Sequence, residues 1–317
     1  IASQLEINQP YQAILTHNIE ACVISLLHRM TQLRQSPPVI YCVHTLMQYE
    51  LSAYANSLKS NRNPRRLSLI QEVKQRVKRV IDGTGEQADA WAARRADGWI
   101  ALPRSPARVM RAHSNKPGAL IPPPIPDPQR PAAMPGASEL RETSKRPPRG
   151  EYFLYSGNLD AYQELEQLKA AAGLVERDRA DRVALPIVVA SHDPNVLSAG
   201  NDRNALETRY VETDGEMQGL IAGARATITM RRAEGGFPIK LANSLAWGTA
   251  PIVFHGAEWG LSHERNAWVA APGRPDEALA EAILVLSQDP GLAARLGEGA
   301  RQQYEMAHRP ELAAERT

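Results

Sequence analysis

"ATITMRRAEGGFPIKLANSLAWGTAPIVF", residues 226–254, sets two short apolar runs on either side of a helical period. Ala226–Met230 reads as one strand and Ala250–Phe254 as the next. Between them a helix starts near Pro238, whose fixed φ suits a first turn. It runs through "IKLANSLAW" and stops at Gly248, a residue that can take the left-handed cap. A strand, helix, strand run of this length brings the second strand back parallel to the first, so the stretch predicts a parallel sheet covered by helices. At the helix start, Gly235 and Gly236 remove side chains where a ligand would approach the backbone. Lys240 adds a positive charge beside the positive end of the helix dipole, and a diphosphate suits that corner. On these residues alone, Gly-Gly before a helix is also ordinary packing grammar, and both readings stand.

The same alternation extends both ways along the chain. "EYFLYSGN" is a strand ending in a glycine turn and "LDAYQELEQLKAAAGL" a helix; between them Ser156, Gly157 and Asn158 offer backbone N–H groups to an anion. "RVALPIVVASHD", "RYVET" and "AWVAA" are further strands, "GEMQGLIAGA" is a helix, and two closing helices break at Asp289-Pro290. Near the other end, "YQAILTHN", "IEACVISLLHRMTQL" and "PPVIYCVHT" form a strand, helix, strand unit, and "ADGWIAL" and "GALIPPP" continue its sheet. The fold class is α/β, with two Rossmann-like parallel-sheet domains. Proline density over residues 122–150 marks the join. The expected division is a first domain over 1–126, a linker over 127–150 and a second domain over 151–317.

Composition narrows the function classes. A chain of 317 residues with 43% hydrophobic and 23% charged content is globular and long enough for two cores. No stretch approaches the ~18 apolar residues of a membrane span. A net charge of +2 argues against a nucleic-acid partner. Cys22 and Cys42 lie inside apolar runs with no metal-ligand spacing, which predicts buried free thiols in a reducing cytosol and no metal site. The start, "IASQLEINQPYQAIL", has no basic region before an apolar core and is not a secretion signal. A cytoplasmic protein is expected. A Gly-x-Gly-x-x-Gly turn with a later acidic residue is missing, which sets aside a dinucleotide oxidoreductase.

The ordered segments "HNIEACVISLL", "VIYCVHTLMQYELSAY", "ADGWIAL", "IPPPIPD", "YFLYSGNLDAYQELE", "LIAGARATITMRRAEGGFPIKLANSLAWGTAPIV" and "ALAEAILVLSQDPGLAARLG" together resemble a family 4 retaining glycosyltransferase of the GT-B fold. The resemblance implies a donor domain at the carboxy end, an acceptor domain at the amino end and a cleft between them. It implies transfer from a nucleotide-diphosphate sugar, as co-substrate, to a lipid-linked or small-molecule acceptor with retention of configuration and no obligatory metal or other cofactor. By the same resemblance Ser156, Gly157 and Asn158 sit at the diphosphate, and Gly236, Phe237, Pro238 and Ile239 form the loop that meets sugar and phosphates. His44 is then the catalytic histidine facing the donor sugar, and His17 a weaker candidate of the same kind.

The chain departs from the family at several places. Two glutamates separated by seven residues fall on Gly235 and Asn243, leaving Glu234, one residue early, as the candidate carboxylate and the Asn243 amide for a ribose hydroxyl. An arginine and a lysine that hold phosphate fall on Asn158 and Gln163, with Lys240 and Arg231 or Arg232 as replacement cations. One or two βα units of the amino-terminal domain have no counterpart before Tyr11, so an incomplete first domain with an unpaired sheet edge and exposed apolar surface is expected. The lost charges also allow an alternative: a catalytically inactive relative that binds or interacts.

Residues 67–81, "LSLIQEVKQRVKRVI", predict an amphipathic basic helix. Its cationic face suits either plain solvation or a peripheral contact with an anionic membrane that carries a lipid acceptor. For the membrane reading, changing Lys74, Arg76, Lys78 and Arg79 together to glutamine should cut co-sedimentation with anionic liposomes; unchanged sedimentation removes it.

Overall fold

The computed structural model describes residues 11–31, 36–47, 49, 84–128, 152–157, 165–178, 184–200, 206–231 and 235–316. It divides into two units. One is Ile1–Pro122 with Gly235–Phe237 and Arg316–Thr317, and the other is Pro123–Glu234 with Pro238–Glu315. The basic helix expected over 67–81 and the proline-rich residues 129–150 lie outside the described residues.

In the first unit β1 (Ile14–His17), β2 (Val39–Val43), β3 (Gly98–Ala101) and β4 (Gly118–Leu120) pair in chain order, all parallel. The four strands stand where the apolar runs place them. The helix α1 (Asn18–Thr31) follows β1 with no intervening loop, because Asn18 takes a φ of 70°. Asparagine enters that left-handed region at lower cost than a branched residue. Helical residues 84–95 precede β3, and α2 (Arg104–His113) follows it. Neither was anticipated, since "TGEQADAWAARR" and "RSPARVMRAH" carry polar and arginine residues throughout and no long apolar run. Pro106 does not break α2, for it lies in the first turn, where its missing N–H has no intrahelical acceptor.

Cys22 and Leu26 of α1 pack with Tyr41, Val43, Leu46, Trp99 and Met110 in one core. Both cysteines are free and buried, and burial pushes both thiols up. Among the described residues β1 is an edge strand. Beside it Leu15, and Ile24, Leu27 and Met30 along α1, are half or more exposed. Asp97 ties α1 to the sheet by accepting from the Arg29 guanidinium and, at 2.8 Å, from the Val39 amide.

The second unit holds β5 (Phe153–Ser156), β6 (Ile187–Ser191), β7 (Leu206–Tyr210), β8 (Ala226–Ile228), β9 (Ala250–Phe254) and β10 (Trp268–Ala270), in the order β10-β9-β8-β5-β6-β7, all parallel. The central strands β5, β6, β8 and β9 are buried along their whole length, as apolar runs without alternation require. Connecting helices are α3 (Leu165–Asp178), α4 (Asp214–Gly223) and α5 (Ile239–Trp247), and α6 (Pro275–Gln288), α7 (Pro290–Ala307) and α8 (Pro310–Arg316) follow the last strand. A 3-10 turn over Pro194–Gly200 and the last helix were not foreseen.

Two expectations shift. The strand expected in "RYVET" occupies Leu206–Tyr210, because Thr213 is drawn into a capping box with Glu216. The Glu216 amide donates to Thr213 Oγ1 at 3.2 Å, and the Thr213 amide to the Glu216 carboxylate at 3.4 Å. The division between units falls after Pro122, where the sequence placed it after residue 126. Residues 123–127 belong with α7: the Ile125 amide donates to the His308 carbonyl at 2.9 Å, and the Tyr304 hydroxyl to the Ile125 carbonyl at 2.9 Å. His308 Nδ1–H donates to the Pro123 carbonyl at 3.0 Å, and Arg301 grips both oxygens of Asp127 at 2.9 and 3.0 Å.

Burial pushes the Asp97 carboxyl up, yet the Val39 amide and Arg29 outweigh it and hold the group below the usual carboxylate range. Its stabilising effect is present above the unfolded value near ~3.9 and is lost as pH falls through the lower folded value. Asp97→Ala leaves the buried Val39 N–H and Arg29 without this acceptor and should cost about 1–3 kcal/mol in urea unfolding at pH 7. The gap to wild type should narrow below pH ~4.

Candidate functional site

The order of the six-stranded sheet fixes where a ligand can lie. From β5 the chain builds outward through β6 and β7, then returns to the other flank of β5 and builds β8, β9 and β10 away from it. The connections leaving β5 and β8 therefore diverge, and a crevice opens beyond the carboxyl ends of these adjacent strands. Ser156 and Gly157 end β5 there, and Thr229, Met230 and Arg231 follow β8.

Lys240, in the first turn of α5, reaches this crevice. A Cβ on Gly157 would stand 2.9 Å from its Nζ and 3.4 Å from its Cε, so the ammonium occupies space that a side chain there would take. Gly157 also adopts a φ of 135°, open to glycine and strained for other residues. The ammonium lies 4.4 Å from the centre of the Tyr155 ring, in a cation–π contact. Loss of solvent, then the charge of Arg231, pushes Lys240 down to about 8.

A buried polar chain sets the pose of α5. The Thr227 hydroxyl on β8 donates to Ser244 Oγ at 2.8 Å, and the Ser244 hydroxyl donates to the Lys240 carbonyl at 2.9 Å. The first turn of the helix is thereby tied to the strand beside the crevice. Pro238 is the N-cap, one position before the first helical residue; its carbonyl accepts from Leu241 and Ala242, and its side chain makes no capping bond. Gly248 closes the helix at φ 67°, as its sequence position implied. Asn243, half-buried, follows Lys240 by three residues and so shares its helix face. Ile239 is 56% exposed beside it.

The expected residues separate into those the crevice gathers and those it does not. Gly157, Lys240 and the buried Ser156 meet at the ends of β5 and α5. The Gly157 amide, expected to face an anion, is instead bonded to the Ala190 carbonyl at 3.1 Å; Gly157 contributes space rather than a donor. Asn158 and Glu234 lie outside the described residues, as do Gln163 and Arg232. Tyr155, Thr227 and Ser244 were missed, since each reads as an ordinary strand or helix position.

Gly235–Phe237 group with the first unit. There a Cβ on Gly236 would come within 3.3 Å of the His44 carbonyl, whereas one on Gly235 would meet Thr45 Oγ1 at an ordinary 3.7 Å. His44 follows β2, and its Nε2 lies 2.8 Å from Nδ1 of His17 at the end of β1. Burial, then the neighbouring His17, pushes His44 below the usual histidine range and keeps it neutral near pH 7.

Among the described residues, no group of three or more His, Cys, Asp and Glu side chains could hold a metal, and no helix is long and apolar enough to cross a membrane.

A family model described as glycosyl transferases, group 1, matches residues 137–303. No curated protein matches the chain by sequence. Among solved structures, the chain is similar to sucrose-phosphate synthase from Thermosynechococcus elongatus, with TM-score 0.69 and 17% identity over 96% of this chain and 71% of that one. It is also similar to HepE from Anabaena, solved with UDP, with TM-score 0.64 and 13% identity over 96% of this chain and 77% of that one. TarM aligns over 96% of this chain and 53% of its own, with TM-score 0.63 and 11% identity. At these identities the likeness establishes the fold, two parallel-sheet α/β domains of the GT-B kind.

A lysine held down to about 8 is a cost to the folded state at neutral pH, because the unfolded chain keeps its proton more readily. Lys240→Met should therefore raise the urea midpoint at pH 7, by about 1 kcal/mol in stability. Wild-type stability rises as pH climbs from about 8 towards the ordinary lysine value of 10.5, so the advantage of the variant should shrink across that window.

Proposed function

The chain belongs to the glycosyl transferases, group 1, and on that premise we propose that it moves a sugar from a nucleotide-diphosphate donor to a lipid-linked or small-molecule acceptor, with retention of anomeric configuration, as a family 4 enzyme. The observation that carries this reading is the Lys240 ammonium, seated against Gly157 at the strand-order switch between β5 and β8. HepE, similar in fold, was solved with UDP, which supports a uridine diphosphate donor as the first to try.

Breaking the bond from sugar C1 to the diphosphate leaves negative charge on phosphate oxygen. A positive charge already in place, in a site partly cleared of water, stabilises that charge without rearranging. Lys240 and the positive amino end of α5 serve the leaving diphosphate, and Arg231 adds longer-range attraction. The acceptor hydroxyl forms the new bond to C1 and passes its proton to an oxygen of the departing diphosphate. His44, kept neutral, hydrogen-bonds the sugar, and the Asn243 amide takes a ribose hydroxyl. Glu234 is the carboxylate assigned to the sugar side. Gly236, Phe237, Pro238 and Ile239 present backbone and apolar surface to the donor. None of these roles calls for a metal or further cofactor.

The non-catalytic alternative draws on one specific feature: Gly235 and Asn243 stand where the family carries its two carboxylates. Titration with a panel of nucleotide-diphosphate sugars, with free nucleotide diphosphate followed over time, separates the two. Binding of one donor with slow release is the expected result, and Lys240→Met should weaken it by tenfold or more, about 1.4 kcal/mol. Binding without release favours the inactive relative. Absence of binding to every donor overturns both the donor assignment and the role of Lys240.

A further inference from the structure

His17 and His44 end adjacent parallel strands. His17 pairs in register with Cys42, two residues before His44, and the two rings lie with centroids 5.1 Å apart at 40°. The contact between His17 Nδ1 and His44 Nε2, at 2.8 Å, is a hydrogen bond between side chains of the same kind, so one ring must donate and the other accept. Both backbones are fixed. The Thr16 hydroxyl donates to the Ile40 carbonyl at 3.1 Å, and Asn18 at φ 70° sends the chain directly into α1. Beyond His44, the Met47 amide donates to the buried Asp89 at 3.1 Å.

We propose that His17 is a positioning residue that selects the tautomer of His44 and holds its ring. The Nε2–H form is the more stable neutral form of a histidine side chain. If both rings keep it, His17 presents a bare Nδ1 and His44 presents Nε2–H, the complementary pair that the 2.8 Å contact needs. His44 is then a fixed donor towards His17, and its own Nδ1 is left as an acceptor. The opposite arrangement places both rings in their less stable form. A doubly protonated pair is worse still, with two donors facing each other. The same choice of tautomer governs other imidazoles whose second nitrogen is held by a neighbour.

The consequence for turnover rests on the glycosyltransferase reading; the geometry does not. With His44 acting on the sugar, an imidazole free to rotate or to change tautomer spends part of its time with the wrong atom presented.

Two variants of the full chain, both at a partly exposed strand end, test the idea. His17→Phe keeps a ring without nitrogen, and His17→Asn sets an amide near the position of Nδ1. Two-bond proton–nitrogen NMR spectra of the imidazoles, recorded at pH ~8 where ordinary histidines are neutral, should show His44 wholly as Nε2–H in wild type. A mixture of tautomers is expected in His17→Phe, with the single form recovered in His17→Asn. A His44 spectrum unchanged by His17→Phe overturns the proposal. In donor turnover, His17→Phe should lower kcat by about tenfold with KM for the donor unchanged, and His17→Asn should regain most of it. Should no donor be turned over, the functional reading fails and the NMR result still decides the role of His17.

Discussion

The second unit depends on one topological constraint. A parallel sheet that grows from its middle in two directions must leave a gap where the direction changes, and here that gap adjoins β5 and β8. Backbone N–H groups and helix amino termini point into such a gap because every strand runs the same way. Gly157, by lacking a side chain, leaves room at this gap. The ammonium of Lys240 reaches the space, leans on the Tyr155 ring, and is kept there by the Thr227–Ser244 chain under the first turn of α5.

Seen this way, the departures from the family pattern have a physical logic. The residues after β5 that would carry positive charge are Asn158 and Gln163, both neutral. A cation arrives instead from across the crevice, on α5. Bringing it from a helix has a cost, since the lysine must lose water to fit over Tyr155 and feels Arg231 nearby. A desolvated cation interacts more strongly with an anion than a hydrated one, so the desolvation that weakens the fold would serve the proposed phosphate site. Gly235 has room for a larger residue, whereas Gly236 is closed off by the His44 carbonyl, so close packing accounts for one glycine of that pair and not the other.

The first unit is built by the same grammar but is less enclosed. β1 ends the described sheet, and the apolar face of α1 carries Ile24, Leu27 and Met30 outward. Its chemistry is gathered at the carboxyl ends of β1 and β2. Placing two imidazoles there requires strands in register and a sharp exit into α1, which Asn18 supplies. Both histidines are visible in the sequence as strand-end residues. Their contact is not, because 27 residues separate them and the register of β1 on β2 decides it.

The strands were legible because buried parallel strands are short apolar runs, and Pro238, Gly248 and Asp289-Pro290 mark helix ends by chemistry that acts within a turn. The order of the strands was beyond such signals, since it is set by which apolar faces cover one another. Capping drew Thr213 away from its expected strand, and hydrogen bonds to α7 moved the domain boundary to Pro122. The amide of Gly157 went to Ala190 for the same reason: a backbone group takes the partner that packing brings nearest. Residue identity thus settled the α/β class, the glycine-opened helix start and the presence of Lys240 beside it. Packing alone decided that Lys240 stands over Tyr155 against Gly157, and that His17 meets His44, because both contacts join segments far apart in the chain.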